Sequence, residues 1–331
     1  LLNDKGIKLK SHYKSYGLIK SSNKMVEQRA DDWWDALVLT VRECISDISD
    51  KENILALSIS SQGGSLLPVD KNGDPLSNVI VWMDKRGIKQ QNDLLKLHDD
   101  DFYYKKTGWK LTAGGNIIQI KWLKENRPDI FERTYKFLST IDYINYKLMG
   151  EYIIDPTNAA MTYLFNIQKA TWDEELLDVA EIQKQKLPEV LKPGKVIGNL
   201  TTEAAMELGL NKYVKVISGG HDQYCAAIGT GAINDGDLFL SAGTAWVLMG
   251  IFNEPVFNSK TYISPGRHII DGLWGALVSV PTGGISIEWF KDNFGANVVH
   301  LANQIEPESL KEVDHKASMV TERAKDVYFY P

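Results

Sequence analysis

Cysteine is nearly absent: Cys44 and Cys225 are the only two among 331 residues. Two cysteines build neither a disulfide framework nor a metal pair, and they fit a reducing compartment. Long apolar runs are also lacking. No stretch approaches the roughly 20 residues of a membrane-spanning helix, and nothing at the start reads as a signal peptide. Charge is never massed. Lys and Arg total 37 against 43 Asp and Glu, leaving a net charge of −6 and no block of one sign. So mild an acidic balance argues against nucleic acid and membrane as partners. Short-period repeats and low-complexity segments are missing as well. What remains is an ordinary globular composition, 44% hydrophobic and 24% charged, in a chain long enough for about two domains. A cytoplasmic enzyme is the expectation.

Along the chain, Asn3-Asp4-Lys5-Gly6 reads as a hairpin turn between Leu1-Leu2 and Ile7-Lys8-Leu9, with its first strand cut off partway. Residues 327–331 read as a strand being entered, so further chain is expected beyond both ends. Asp31 is a candidate helix N-cap, followed by the apolar stripe Trp34, Leu37, Val38, Val41 and Ile45. Residues 54–59 read as a buried strand that breaks at 60–65. Strands are expected at 66–69 and 79–82, around a turn at 70–74. Helices dominate 85–150 and return at 172–180. Short strands are expected at 214–218 and 238–241, with the turn Asn234-Asp235-Gly236-Asp237 between them. The pattern is that of an α/β enzyme with ligand-holding loops. The first domain is expected to cover 1–236 and a second to begin at 237 and run to 331.

Three Gly-rich corners could carry chemistry. Gly219-Gly220-His221-Asp222-Gln223 follows an apolar strand. The glycines permit a sharp turn, and a carboxylate there can take a proton from a hydroxyl. Equally, Asp222 could cap a helix starting at Gln223. His221 beside a single Asp gives no metal set. Ser241-Ala242-Gly243-Thr244 lies between two strands and offers N–H groups and a hydroxyl to phosphate oxygens, or is a plain hairpin turn. It is not a P-loop, because no Lys follows in the required place. Pro281-Thr282-Gly283-Gly284 opens an amphipathic run to Asn293. It could admit a nucleotide phosphate at a helix start or simply allow tight packing.

Taken in this order, the corners resemble those of the FGGY family of carbohydrate kinases. Val26-Glu27-Gln28 with Asp32-Trp33-Trp34 is similar to an early stretch of that family, and Trp82-Met83-Asp84-Lys85-Arg86 to its tryptophan-aspartate-arginine corner. Lys121-Trp122-Leu123-Lys124-Glu125-Asn126 resembles the core of its first signature. Residues 155–166 resemble the stretch after its central helix. The likeness runs over nearly the whole chain.

The resemblance implies an actin-like ATPase (ribonuclease H-like) α/β fold of two related domains with a cleft between them. It implies ATP and Mg²⁺, and a sugar or polyol as acceptor. By position it makes Asp222 the catalytic base. Gln62, Gly63, Gly64 and Gln223 become substrate contacts, and Gly243, Thr244, Gly284 and Glu288 nucleotide contacts. No residue is assigned to a metal, and a homodimer is the assembly to test. An aspartate-glycine-threonine phosphate corner would precede Leu1, and the adenosine pocket would follow Pro331. Gln119 stands where the signature has lysine, and Asn116 where it has a small hydroxyl residue or proline. Gly63-Gly64 replaces the Arg-Glu of glycerol kinases and the Met-His of xylulose kinases. The glycines are expected to leave room for a ketose or sugar alcohol of about five or six carbons, with glycerol a poor substrate, since each lost charged hydrogen bond is worth roughly 1.5–3 kcal/mol. Two rival readings are a silent sugar- or nucleotide-binding regulator on the same fold and a chaperone-like ATPase serving a protein partner.

Overall fold

The structure, a computed structural model, describes residues 1–289 except 22, 23, 244, 262, 281, 282, 285, 287 and 288. It divides into two compact units. The first takes in 1–237 and 250–276, the second 238–249 and the chain from 277 onward.

The first unit opens with the expected hairpin. Leu2 pairs antiparallel with Lys8, and the Asn3 carboxamide oxygen accepts from the N–H groups of Lys5 and Ile7. The helix Ala30–Ile45 buries Trp33, Trp34, Ala36 and Ile45 along one face. Its N-cap is Arg29 rather than Asp31. The strand Val26–Gln28, paired with Val79–Ile80, runs directly into the helix and forces the turn two residues early. Asp31 and Asp32 therefore sit in the first turn, where carboxylates meet the positive end of the helix.

A three-stranded sheet carries the site. Lys215–His221 lies at its centre, antiparallel to Val196–Asn199 and parallel to Ala56–Ser61. The strand read at 54–59 is not buried. It forms an edge of this sheet, with alternate residues exposed and Leu55 74% exposed just before it. Five helices fill 85–150 as expected, namely Ile88–Leu97, Asp100–Thr107, Asn116–Asn126, Pro128–Arg133 and Thr140–Met149. The strand Lys136–Leu138 interrupts them and pairs antiparallel with Leu67–Val69. Two apolar cores result. One gathers Ile117, Ile120, Ile141 and Phe165 around these helices. The other packs Trp33, Trp34, Val69, Tyr143 and Val216 between the helix Ala30–Ile45 and the strands.

In the second unit, Leu238–Ala242 neighbours the strand that begins at Trp246, which in turn neighbours the end of Trp274–Val280. The strand read at 327–331 and the run to Asn293 lie outside the described residues.

Candidate active site

The strand Lys215–His221 shifts register between Ile217 and Gly220, where it passes Ala56–Ser61. A Cβ on Gly219 would stand 1.8 Å from the Ile59 carbonyl oxygen, so only glycine fits. The helix Asp222–Thr230 starts at once. Its N-cap is His221, which makes no side-chain cap bond. Asp222 is therefore the first helical residue, and its carboxylate is not spent as a cap. It is 45% exposed and lies 3.3 Å from His221 Nε2. Gln223 beside it is half-buried, and its Oε1 has no partner among the described residues.

His221 is buried, and burial pushes its imidazole below the ordinary 6.5 against the pull of Asp222 and Asp155. Its backbone N–H donates to Thr157 Oγ1 at 2.8 Å, and the Thr157 hydroxyl donates to Asp155. Asp155 caps the short helix Pro156–Ala160 through the N–H groups of Thr157 and Asn158. Burial raises the Asp155 carboxyl above the usual carboxylate range, against those hydrogen bonds. Cys225, nearby, has its thiol pushed up by burial and donates to the Gly220 carbonyl at 3.5 Å, which suits an inert thiol.

The loop Gln62-Gly63-Gly64-Ser65 comes up beside this corner. A Cβ on Gly63 would meet Met161 Cγ at 2.5 Å, Met161 Cβ at 2.9 Å and His221 Cδ2 at 3.1 Å. The room expected at Gly63 is thus taken up by the Met161 side chain, and the glycine is demanded by packing. Gly64 has φ +74°, with the Trp82 Cβ 3.2 Å from its missing side chain. Gln62 points its amide inward, donating to Gln28 Oε1 at 3.3 Å and Ser65 Oγ at 3.2 Å. Trp82 stays half exposed on a braced corner. Buried Asp84 accepts from Val26 N–H and from Arg86, which also reaches Glu27. Asn116 and Gln119 are structural here: Asn116 donates to Ser65 O, and Gln119 to Val81 O and Gly114 O.

In the second unit, the Gly284 N–H donates to the Gly243 carbonyl at 3.1 Å, which joins two of the corners read from sequence. Gly243 is exposed, and a Cβ there would meet only the Ala245 carbonyl oxygen at an ordinary 3.7 Å, whereas Gly283 is obliged by Trp246 Cδ1 at 2.3 Å. Thr244 and Glu288 lie outside the described residues. No cluster of three or more His, Cys, Asp or Glu able to hold a metal occurs among the described residues. No helix among them is long and apolar enough to cross a membrane.

Sequence reasoning set His221 aside and overlooked Met161. The first was weighed only as a ligand or base, and the second contacts Gly63 from a distant part of the chain.

Known proteins share this fold. The solved xylulose kinase of Lactobacillus acidophilus superposes with a TM-score of 0.82 at 28% identity, over 92% of this chain and 60% of that one. The gluconate kinase of the same organism gives 0.81 at 28% identity, over 89% of this chain and 61% of the other. The fold is accordingly the actin-like ATPase α/β fold. By sequence, a xylulose kinase of Staphylococcus epidermidis is 28% identical over 307 residues, which is 92% of this chain but 59% of the relative. The chain spans less than two thirds of the length of these kinases. The model of the FGGY family of carbohydrate kinases, N-terminal domain, matches residues 1–229. The chain belongs to the FGGY family of carbohydrate kinases.

Proposed function

We propose that this protein transfers the γ-phosphate of ATP to a hydroxyl of a sugar or polyol, a ketose or sugar alcohol, with Asp222 as general base. The observation that carries the reading is the unspent carboxylate. Asp222 opens its helix without capping it and remains 45% exposed. As the acceptor oxygen attacks the γ-phosphorus, the bond to ADP breaks and Asp222 takes the hydroxyl proton. Gln62, Gly63, Gly64 and Gln223 lie on the acceptor side of this scheme. Gly243, Thr244, Gly284 and Glu288 lie on the nucleotide side, and the convergence of Gly243 with Gly284 supports that assignment. The first of the two domains, on this reading, is 1–236. The described residues offer no cage for Mg²⁺, which commonly arrives on phosphate oxygens with one or two carboxylates. No step here rests on it.

The kinases of xylulose, gluconate and glycerol among the relatives set the test panel. Coupled ADP release would be followed with D-xylulose, gluconate and glycerol, for the wild type and for Asp222→Asn. One acceptor is expected to stimulate ADP release, and the variant to lose about 10²–10⁴-fold of it while still binding that acceptor by calorimetry. Acceptor-independent release would favour an ATPase serving a protein partner. Binding without turnover would favour a regulator.

A further inference from the structure

Directly beside Asp222 sits a histidine that the scheme above does not use. His221 Nε2 lies 3.3 Å from Asp222 Oδ1. Its Nδ1 is buried and has no partner among the described residues. A carboxylate oxygen this close to Nε2, with nothing at Nδ1, favours the ring's one proton at Nε2 and the bare lone pair at Nδ1. Burial disfavours a second proton. Its neighbours hem the ring in: its Cδ2 lies 3.1 Å from where a Gly63 side chain would begin, and it meets the Tyr224 ring in a T-shaped contact at 6.1 Å between centroids. A side chain that merely filled this space would do better without a buried unpaired nitrogen.

We infer that His221 is a positioning residue. On a backbone held by the Asp155–Thr157 pair, it turns its Nε2–H, 3.3 Å from Asp222 Oδ1, into a hydrogen bond to that oxygen as the acceptor arrives and leaves the other oxygen free to face the acceptor hydroxyl. This rests on Asp222 being the base. Fixing the direction of a general base matters because small misplacements at a reacting centre cost large factors in rate.

The test compares three variants with the wild type and Asp222→Asn. His221→Gln can present an amide N–H near the Nε2 position. His221→Asn is too short to reach, and His221→Leu has no donor. With the best acceptor from the D-xylulose, gluconate and glycerol panel, kcat is expected to fall about 10- to 100-fold in His221→Leu and His221→Asn, with little change in acceptor Kd. His221→Gln should recover most of that loss. A second readout needs no turnover: nitrogen NMR of ¹⁵N-histidine-labelled protein should find one imidazole held as the Nε2–H tautomer, with a resonance that moves in Asp222→Asn. If Asp222→Asn is inactive while His221→Leu and His221→Asn keep full kcat, the positioning role fails and the base stands. An Nδ1–H tautomer would overturn it as well. An active Asp222→Asn would instead remove the base reading on which the inference rests.

Discussion

At the scale of single residues, the corner around Asp222 is governed by close approaches rather than by open space. Gly63 has Met161 Cβ and Cγ within 3 Å of where its own side chain would begin. The backbone-proximal Cβ of Met161 cannot move aside as a chain end could. Gly63→Ala is therefore expected to cost about 1–3 kcal/mol by overpacking, read from urea denaturation. Met161→Ala removes Cγ and should make the alanine at 63 cheaper, so a double-mutant cycle should give a coupling of about 0.5–3 kcal/mol. Additive effects would mean that the two side chains do not compete for the same volume. The sequence revealed that residue 63 was glycine in a polar loop. It could not tell whether the missing side chain left room or was crowded out, because the crowding group follows a short helix far along the chain.

At the scale of elements, local pattern was legible where an element is long or strongly signed. The helix Ala30–Ile45 could be read from its apolar stripe, and the strand Lys215–His221 from its apolar run before paired glycines. Lys136–Leu138 escaped notice because three residues carry no period, and it exists only through pairing with Leu67–Val69. The burial of residues 54–59 was misjudged because an apolar run does not reveal whether a sheet is covered on both faces. The tryptophan-aspartate-arginine corner was recognisable as a motif, and the structure supplies its physical role. Asp84 is 1% exposed, and it ties Val26 N–H at 2.6 Å to Arg86, whose guanidinium lies 4.9 Å from the Trp122 ring centre. Asp84→Ala should destabilise the protein by about 3–5 kcal/mol, because it leaves a buried guanidinium half paired. Arg86→Lys should not be neutral, since an ammonium cannot reproduce the fork. Denaturation midpoints for both variants within error of the wild type would show that the corner is held by other contacts.

At the scale of the molecule, the order of the Gly-rich corners carried the family, while the return of 250–276 to the first unit was invisible. That return depends on single contacts such as Tyr104 Oη to Ile263 O, 159 positions apart, and Arg267 to the carbonyls of Ile167 and Gln168. Stability against pH is also a property of the whole fold, and burial acts on it from two sides. Burial lowers His221 and His268 below 6.5. Each binds fewer protons folded than unfolded, so stability is full above 6.5 and lost as pH falls through the folded values. Burial holds Asp142 well above 3.8, and Asp155 is also raised. These groups keep their protons longer when folded, so their contribution is fullest below 3.8 and is lost as pH rises through the raised values. Asp142 offers the cleaner test. Its Oδ1 accepts the Ser139 N–H at 2.8 Å, and its Oδ2 is buried with no partner among the described residues. Asparagine keeps the useful acceptor and removes the charge that burial penalises. Asp142→Asn should thus be at least as stable as the wild type near neutral pH, with a shallower decline in unfolding free energy as pH rises above the ordinary carboxylate range. Parallel urea titrations across that rise decide the matter: a variant less stable throughout, with an unchanged slope, would mean that the ionised carboxylate is needed where it stands.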